Sequence, residues 1–375
     1  MARNEPDRSL APGRSEGAST LRRMHAANAA RCGSYSRMSR QDRLESDLDR
    51  GFTALEEGRI DEAAAAVERC QRIDRGNADV VLLSAAVADA RGDAENAIAL
   101  YGRLVELRPD DPMPRICAAR IQLRDLGDPD AALQMLADAF DFIDEETDLI
   151  EAVIVRTEAL IANLQLEDAR DALAELASSV IDDSELALDL AELALAAEDA
   201  AAATRWIEIA RKDPSLAADA LHLLGRVHEA TDDRAQMIAA WQQVRALDAK
   251  ADGQTSVSIS EDELERIASA ALAELPAEVR THLERVPILI DDLPSEALVA
   301  DGLDPRSLGV FEGTPMPEGG DLAASVTSIH LFRKNLERVA TDLDELAEEV
   351  RITVLHETAH YFGLDEEDLE RIGLD

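Results

Sequence analysis

The chain has 375 residues, 46% of them apolar and 3% aromatic, with no apolar run long enough to cross a bilayer, so it reads as about two ordinary domains with buried cores and not as a membrane-spanning protein. Seventy-eight acidic residues against 38 Lys and Arg leave a formal charge of −40, which repels phosphate backbones and anionic lipid. Nucleic acid and membranes are thereby excluded as expected partners, and basic protein segments are favoured. Ala, Leu, Glu, Asp and Arg dominate the composition, which suits packed helices better than a sandwich or barrel, so the expected fold class is mainly α.

Residues 1–43 carry nine arginines, from Arg3 to Arg43, against Glu5, Asp7, Glu16 and Asp42. With Gly, Pro and Ser interspersed and no apolar core to a signal, this stretch is expected to be a disordered Arg-rich tail. Cys32, Cys70 and Cys117 have no CxxC spacing, so neither a disulfide framework nor a cysteine metal site is expected, and a reducing, cytoplasmic setting fits.

From 44 to 250 the sequence repeats. A glycine or turn followed five residues later by a small apolar residue opens a helix at Gly58 and Ala63, Gly92 and Ala97, and Gly127 and Ala132. The series continues through Ala169, Ala203 and Met237, at intervals of 34, 35, 37, 34 and 34 residues. Twelve residues before each anchor stands Gly51, Ala85, Arg120, Thr157, Ala191 or Gly225, most of them small. A helix pair of this length cannot bury its own apolar face, and small residues let neighbouring axes approach, so stacking builds the core. The pattern resembles the tetratricopeptide repeat: Gly51 with Ala63, Ala85 with Ala97, and Gly225 stand where that motif carries small residues, and Pro109 stands at its closing proline. Arg120 and Thr157 depart at the small position, and Asn163-Leu164 replaces the glycine between helices. The resemblance implies about six helix-turn-helix repeats in an α-solenoid, with a protein partner held on the concave face. Cys70 and Cys117 fall at inward helical positions and are expected to be inert packing residues. His222 and His228, six apart, do not form an i,i+3 or i,i+4 pair, so structural roles are expected.

Residues 251–257 break the helical period with Gly, Ser and Thr and read as a linker, with a second domain at 258–375. Ser260 before Glu261, Asp262 and Glu263 predicts a capped helix whose apolar face is Leu264, Ile267, Ala268, Ala271, Leu272 and Leu275, before Pro276. Strands are predicted at Val286 to Asp291, Leu308 to Glu312 and Val326 to Phe332, and Leu343 to Val350 is predicted to begin a helix capped near Thr341 or Asp342. The last of these strands is expected to lie beside that helix as a sheet edge on which an extended peptide can pair. Helix, strands and helix make this domain α+β.

The segment His356-Glu357-Thr-Ala-His360-Tyr-Phe-Gly363-Leu-Asp-Glu366 contains H-E-x-x-H, then a glycine and an acid at three-residue steps. Residues four apart share a helix face, so His356 and His360 can offer two imidazoles to one Zn²⁺. Glu357 sits beside the metal without binding it and is the candidate catalytic base. Gly363 permits the turn that brings Glu366 round as third ligand. With seven histidines in the chain, chance produces H-E-x-x-H in about one such protein in a hundred.

From about 258 to 375 the chain resembles the small zincin-like metallopeptidase family, a minimal gluzincin/metzincin-type fold. The matching residues are Leu275-Pro276, Val286 to Asp291, Leu308 to Gly313, Ile329 to Phe332 and the block His356 to Gly363. The resemblance implies that His356 and His360 are metal ligands and Glu357 the base. The family's third ligand is usually Asp, whereas here Glu366 is flanked by Asp365, Glu367 and Asp368. No methionine follows Met316, so the methionine turn of metzincins is absent from this sequence. His330 reads as a solvated strand residue with a cleft role as the alternative, and Tyr361 as a packing residue with oxyanion contact as the alternative.

The reading is a cytoplasmic Zn²⁺-dependent peptidase that hydrolyses protein or peptide substrates, with a helical array for protein binding. The alternatives are a non-catalytic scaffold with an inactive or structural metal site, and a metal-dependent amidase acting on a non-peptide substrate.

Overall fold

The computed structural model describes residues 39–251, 256–275, 286–313 and 328–361, apart from the side chains of His360 and Tyr361. The tail expected at 1–43 therefore lies almost wholly outside the described residues, as do Cys32, much of the linker, Gly363 and Glu366. By compactness the chain divides into two units, one ending at Ala203 and the other beginning at Thr204.

Between 40 and 248 the repeat spacing becomes twelve helices. They are α1 (Arg40–Glu56), α2 (Ile60–Asp74), α3 (Ala78–Ala90), α4 (Ala94–Leu107), α5 (Met113–Arg124), α6 (Pro129–Ala137), α7 (Glu146–Ala162), α8 (Leu166–Ala174), α9 (Ser184–Ala196), α10 (Ala200–Ala210), α11 (Ala217–Ala230) and α12 (Arg234–Asp248). Each pair turns at one residue in the left-handed region, and these residues are Gly58, Gly92, Gly127, Leu164, Glu198 and Asp232. Each stands five positions before its small anchor, and the six anchors from Ala63 to Met237 are buried. The period seen in the sequence is thus the period of a backbone conformation.

In the first unit, α1 packs on α2, α3 on α4, α5 on α6 and α7 on α8, and first helices also meet, α1 with α3 and α5 with α7. Their shared core includes Phe52, Leu82, Leu83, Tyr101, Leu104, Ile116 and Leu136. Cys70 and Cys117 are buried in it, and burial pushes each thiol up to about 11, so neither is a nucleophile at neutral pH. Arg120, the departure at a small-residue position, is accommodated because its guanidinium pairs with Glu151 of α7.

Leu164 holds φ 57° and leaves its side chain 84% exposed. A left-handed L-residue costs roughly 1–2 kcal/mol, against roughly 0.5–1 kcal/mol of extra chain entropy for glycine. Leu164→Gly is therefore expected to stabilise by about 0.5–1 kcal/mol. In urea unfolding the midpoint should rise with the slope unchanged; a lowered midpoint would contradict the turn assignment.

The second unit continues through α13 (Glu261–Glu274), β1 (Ile288–Asp291), α14 (Glu296–Ala300), β2 (Gly309–Glu312), β3 (Ser328–Phe332), α15 (Arg333–Val339) and α16 (Leu343–Tyr361). The Ser260 hydroxyl caps α13 by accepting from Glu263 N at 3.3 Å. The Asp342 carboxylate accepts from the amides of Asp344 and Glu345 at 2.9 Å, while Glu345 reaches back to Thr341 N at 2.7 Å, and this reciprocal cap fixes where α16 begins. The strands form one sheet in the order β1-β3-β2, with β1 parallel and β2 antiparallel to β3. Period-2 alternation puts Ile329 and Leu331 on the face covered by Leu264 and Ala268 of α13 and by Leu346, Val350 and Val354 of α16.

The strand expected as an edge is the central one. β3 pairs Ile329 with Ile288 on one side and with Phe311 on the other, leaving no free edge; among the described residues the edge that touches α16 is β2. The fold is therefore mainly α, a helical-repeat solenoid followed by a small α+β region.

Candidate metal centre

The motif helix is built to be buried on one side. Leu346, Val350, Thr353, Val354 and Glu357 follow the 3.6 period, and all five are buried. Thr353 satisfies its hydroxyl within the helix by donating to Glu349 O at 2.8 Å. Glu357 is 8% exposed, an unusual position for a carboxylate without a task.

β2 meets this face of α16 at Gly309. A Cβ on Gly309 would stand 2.7 Å from Thr353 Cγ2, 2.9 Å from His330 O and 3.4 Å from Glu357 Cγ, so only glycine lets the strand lie this close to the helix. The absence of one side chain brings an antiparallel strand edge against the buried glutamate. The sequence offered a hint of this, a glycine inside a strand pattern, but its partner 48 residues away was not readable.

His356 lies on the same helix, half-buried, and His360 follows four residues later, still within α16. One helical turn separates their backbones by about 6 Å, the spacing from which two imidazoles reach one ion. Two imidazoles and a carboxylate are a donor set that suits Zn²⁺. Among the described residues no group of three or more His, Cys, Asp and Glu side chains is gathered to hold a metal. The His360 and Tyr361 side chains, Glu366 and the alternatives Asp365, Glu367 and Asp368 lie outside those residues.

His330 is not the solvated residue expected. Its Nδ1 stands 3.0 Å from Asp291 Oδ2 of β1, and its Nε2 stands 3.3 Å from Glu312 Oε2 of β2 and 3.1 Å from Ser328 Oγ. It ties all three strands together, on the sheet face opposite Ile329 and Leu331. His222 likewise has a structural role: its Nε2 reaches Asp304, and its ring stacks on Trp241 at 6.4 Å between centroids.

The zincin-like metallopeptidase family profile matches residues 283–374, and a tetratricopeptide-repeat profile matches residues 54–120. No protein of curated function matches. Among solved structures, PilW, a widely conserved type IV pilus biogenesis factor, is 15% identical over 56% of this chain and 95% of its own, with a TM-score of 0.47. Pseudomonas aeruginosa pilF gives 15%, the same coverages and 0.45, and a tetratricopeptide repeat protein from Parabacteroides merdae gives 14%, 63%, 87% and 0.40. No described helix is long and apolar enough to cross a membrane. The chain joins tetratricopeptide repeats to a domain of the zincin-like metallopeptidase family.

Proposed function

We propose that this protein is a Zn²⁺-dependent peptidase whose helical repeats hold a protein partner or substrate. The observation that carries the reading is Glu357, buried on α16 between His356 and His360 and met by Gly309 of β2. In this reading His356 and His360 bind the metal, with Glu366 as third ligand and Asp365, Glu367 or Asp368 as its alternatives. Zn²⁺ bound there supplies the positive charge that acidifies a water and polarises a carbonyl.

The chain's own residues do the rest. In this reading a peptide lies beside β2 with its scissile bond across α16. Glu357 accepts the proton of the attacking water at its carboxylate and returns it to the leaving amine. The buried face of α16 keeps bulk water from that carboxylate. The formal charge of −40 favours basic segments in the partner.

The reading is tested on an unstructured protein such as casein. Cleavage by the full chain is expected to stop when a chelator removes the metal and to return when Zn²⁺ is restored. Cleavage that survives exhaustive chelation would exclude it.

A further inference from the structure

The connection from β1 to β2 is held by α11 and α12, the last helical repeat. Arg245 donates from Nε to Pro294 O at 2.6 Å. Val299 of α14 is fully buried against Met237 and Trp241, and Arg234 donates to Asp301 O. His222 Nε2 stands 2.8 and 2.9 Å from the two Asp304 oxygens. Arg306 reaches Asp219 at 2.7 Å and Asp248 at 3.3 Å, and Asp248, 6% exposed, also takes Arg338 of α15 at 3.0 Å. Asn335 closes the end of the connection, donating to Pro305 O at 2.9 Å and Ser307 O at 2.8 Å.

These contacts end where the site begins. Arg306 is three residues before Gly309, at most about 11 Å of chain, so a shift of the guanidinium passes directly to the residue that seats β2 beside Glu357. A buried ion-pair network is a poor source of stability, because desolvation offsets its attraction, but it is satisfied in only one geometry. Burial opposes ionisation of Asp304, yet the His222 contact and the Arg306 amide and charge hold its carboxyl below the usual range. Asp304 and Arg306 are therefore both charged at neutral pH.

We propose that Asp219, His222 and Asp248 of the last repeat are positioning residues of the peptidase site, acting through Asp304 and Arg306 to set β2 against α16. The role in catalysis rests on the peptidase reading above; the hold on β2 does not. The last repeat then serves the site as well as the array.

The test uses the full chain with Arg306→Gln, the conservative Arg306→Lys, and Asp219→Asn, which leaves Asp248 to Arg306 and keeps the test open if Arg306→Gln does not fold. Hydrogen exchange at residues 309–312 is expected to quicken about tenfold in Arg306→Gln and Asp219→Asn, with α13 and α16 unchanged. Arg306→Lys should fall between these variants and wild type. On casein, KM should rise about tenfold with kcat within about twofold, and zinc content should stay at the wild-type level. Unchanged exchange at β2, exchange that quickens equally across α13 and α16, or quickened β2 exchange with unchanged KM would each overturn the proposal. If wild type cleaves nothing while β2 exchange still responds, the peptidase reading fails and the hold on β2 stands.

Discussion

Glu357→Gln is expected to lower peptide hydrolysis by about 10²–10⁴-fold, the range that general-base catalysis supplies, while zinc content stays at the wild-type level. The amide matches the carboxylate in size but cannot take up the proton of water at neutral pH, so the substitution removes one chemical step and little packing. Glu357 is 8% exposed and lies close to Gly309, an approach its unchanged carbon skeleton keeps. The loss should therefore appear in kcat, with KM and the melting temperature close to wild type. A variant that retains full cleavage would remove Glu357 from the mechanism.

Gly225→Ala is expected to cost about 3 kcal/mol or more, because an added Cβ would overlap the indole of Trp241. That ring has nowhere to go: it is 2% exposed, its Nε1 donates to His222 O at 3.4 Å, and it is stacked on His222. A fall in Tm of about 6–12 °C follows for a unit of this size. Gly51→Ala is the comparison, since the methyl there meets chiefly the end of the Leu83 side chain, with Ala66 Cβ next at 3.1 Å, and should cost about 1 kcal/mol. Differential scanning calorimetry of the two variants decides it; equal losses would mean that the indole yields as easily as the leucine.

The repeats were legible because their signal is local. A turn residue, a small anchor five positions on and a second small residue twelve positions before that anchor all lie within one helix pair, so registry survives even where Leu164, Glu198 and Asp232 take the left-handed turn without glycine. The H-E-x-x-H spacing was legible for the same reason, since one turn of one helix carries it. Strand order was not. Three short strands of similar apolar pattern do not encode which lies in the middle, and only pairing to Ile288 and Phe311 makes β3 central. α14 and α15, of five and seven residues, are too short to show a helical period; the Ser295 cap, whose hydroxyl accepts from Leu298 N at 3.2 Å, was the available sign. The approach of Gly309 to Glu357 and the hold of the last repeat on Asp304 and Arg306 join residues tens of positions apart, and nothing in the neighbouring sequence announces them.

The central claim, that α16 carries a metal centre, is tested most directly by elemental analysis of the purified full chain beside His356→Ala. The expected result is near one zinc per chain in wild type and its loss in the variant. No zinc after reconstitution, or zinc undiminished in His356→Ala, would contradict it and leave the helical repeats as the working part of the molecule.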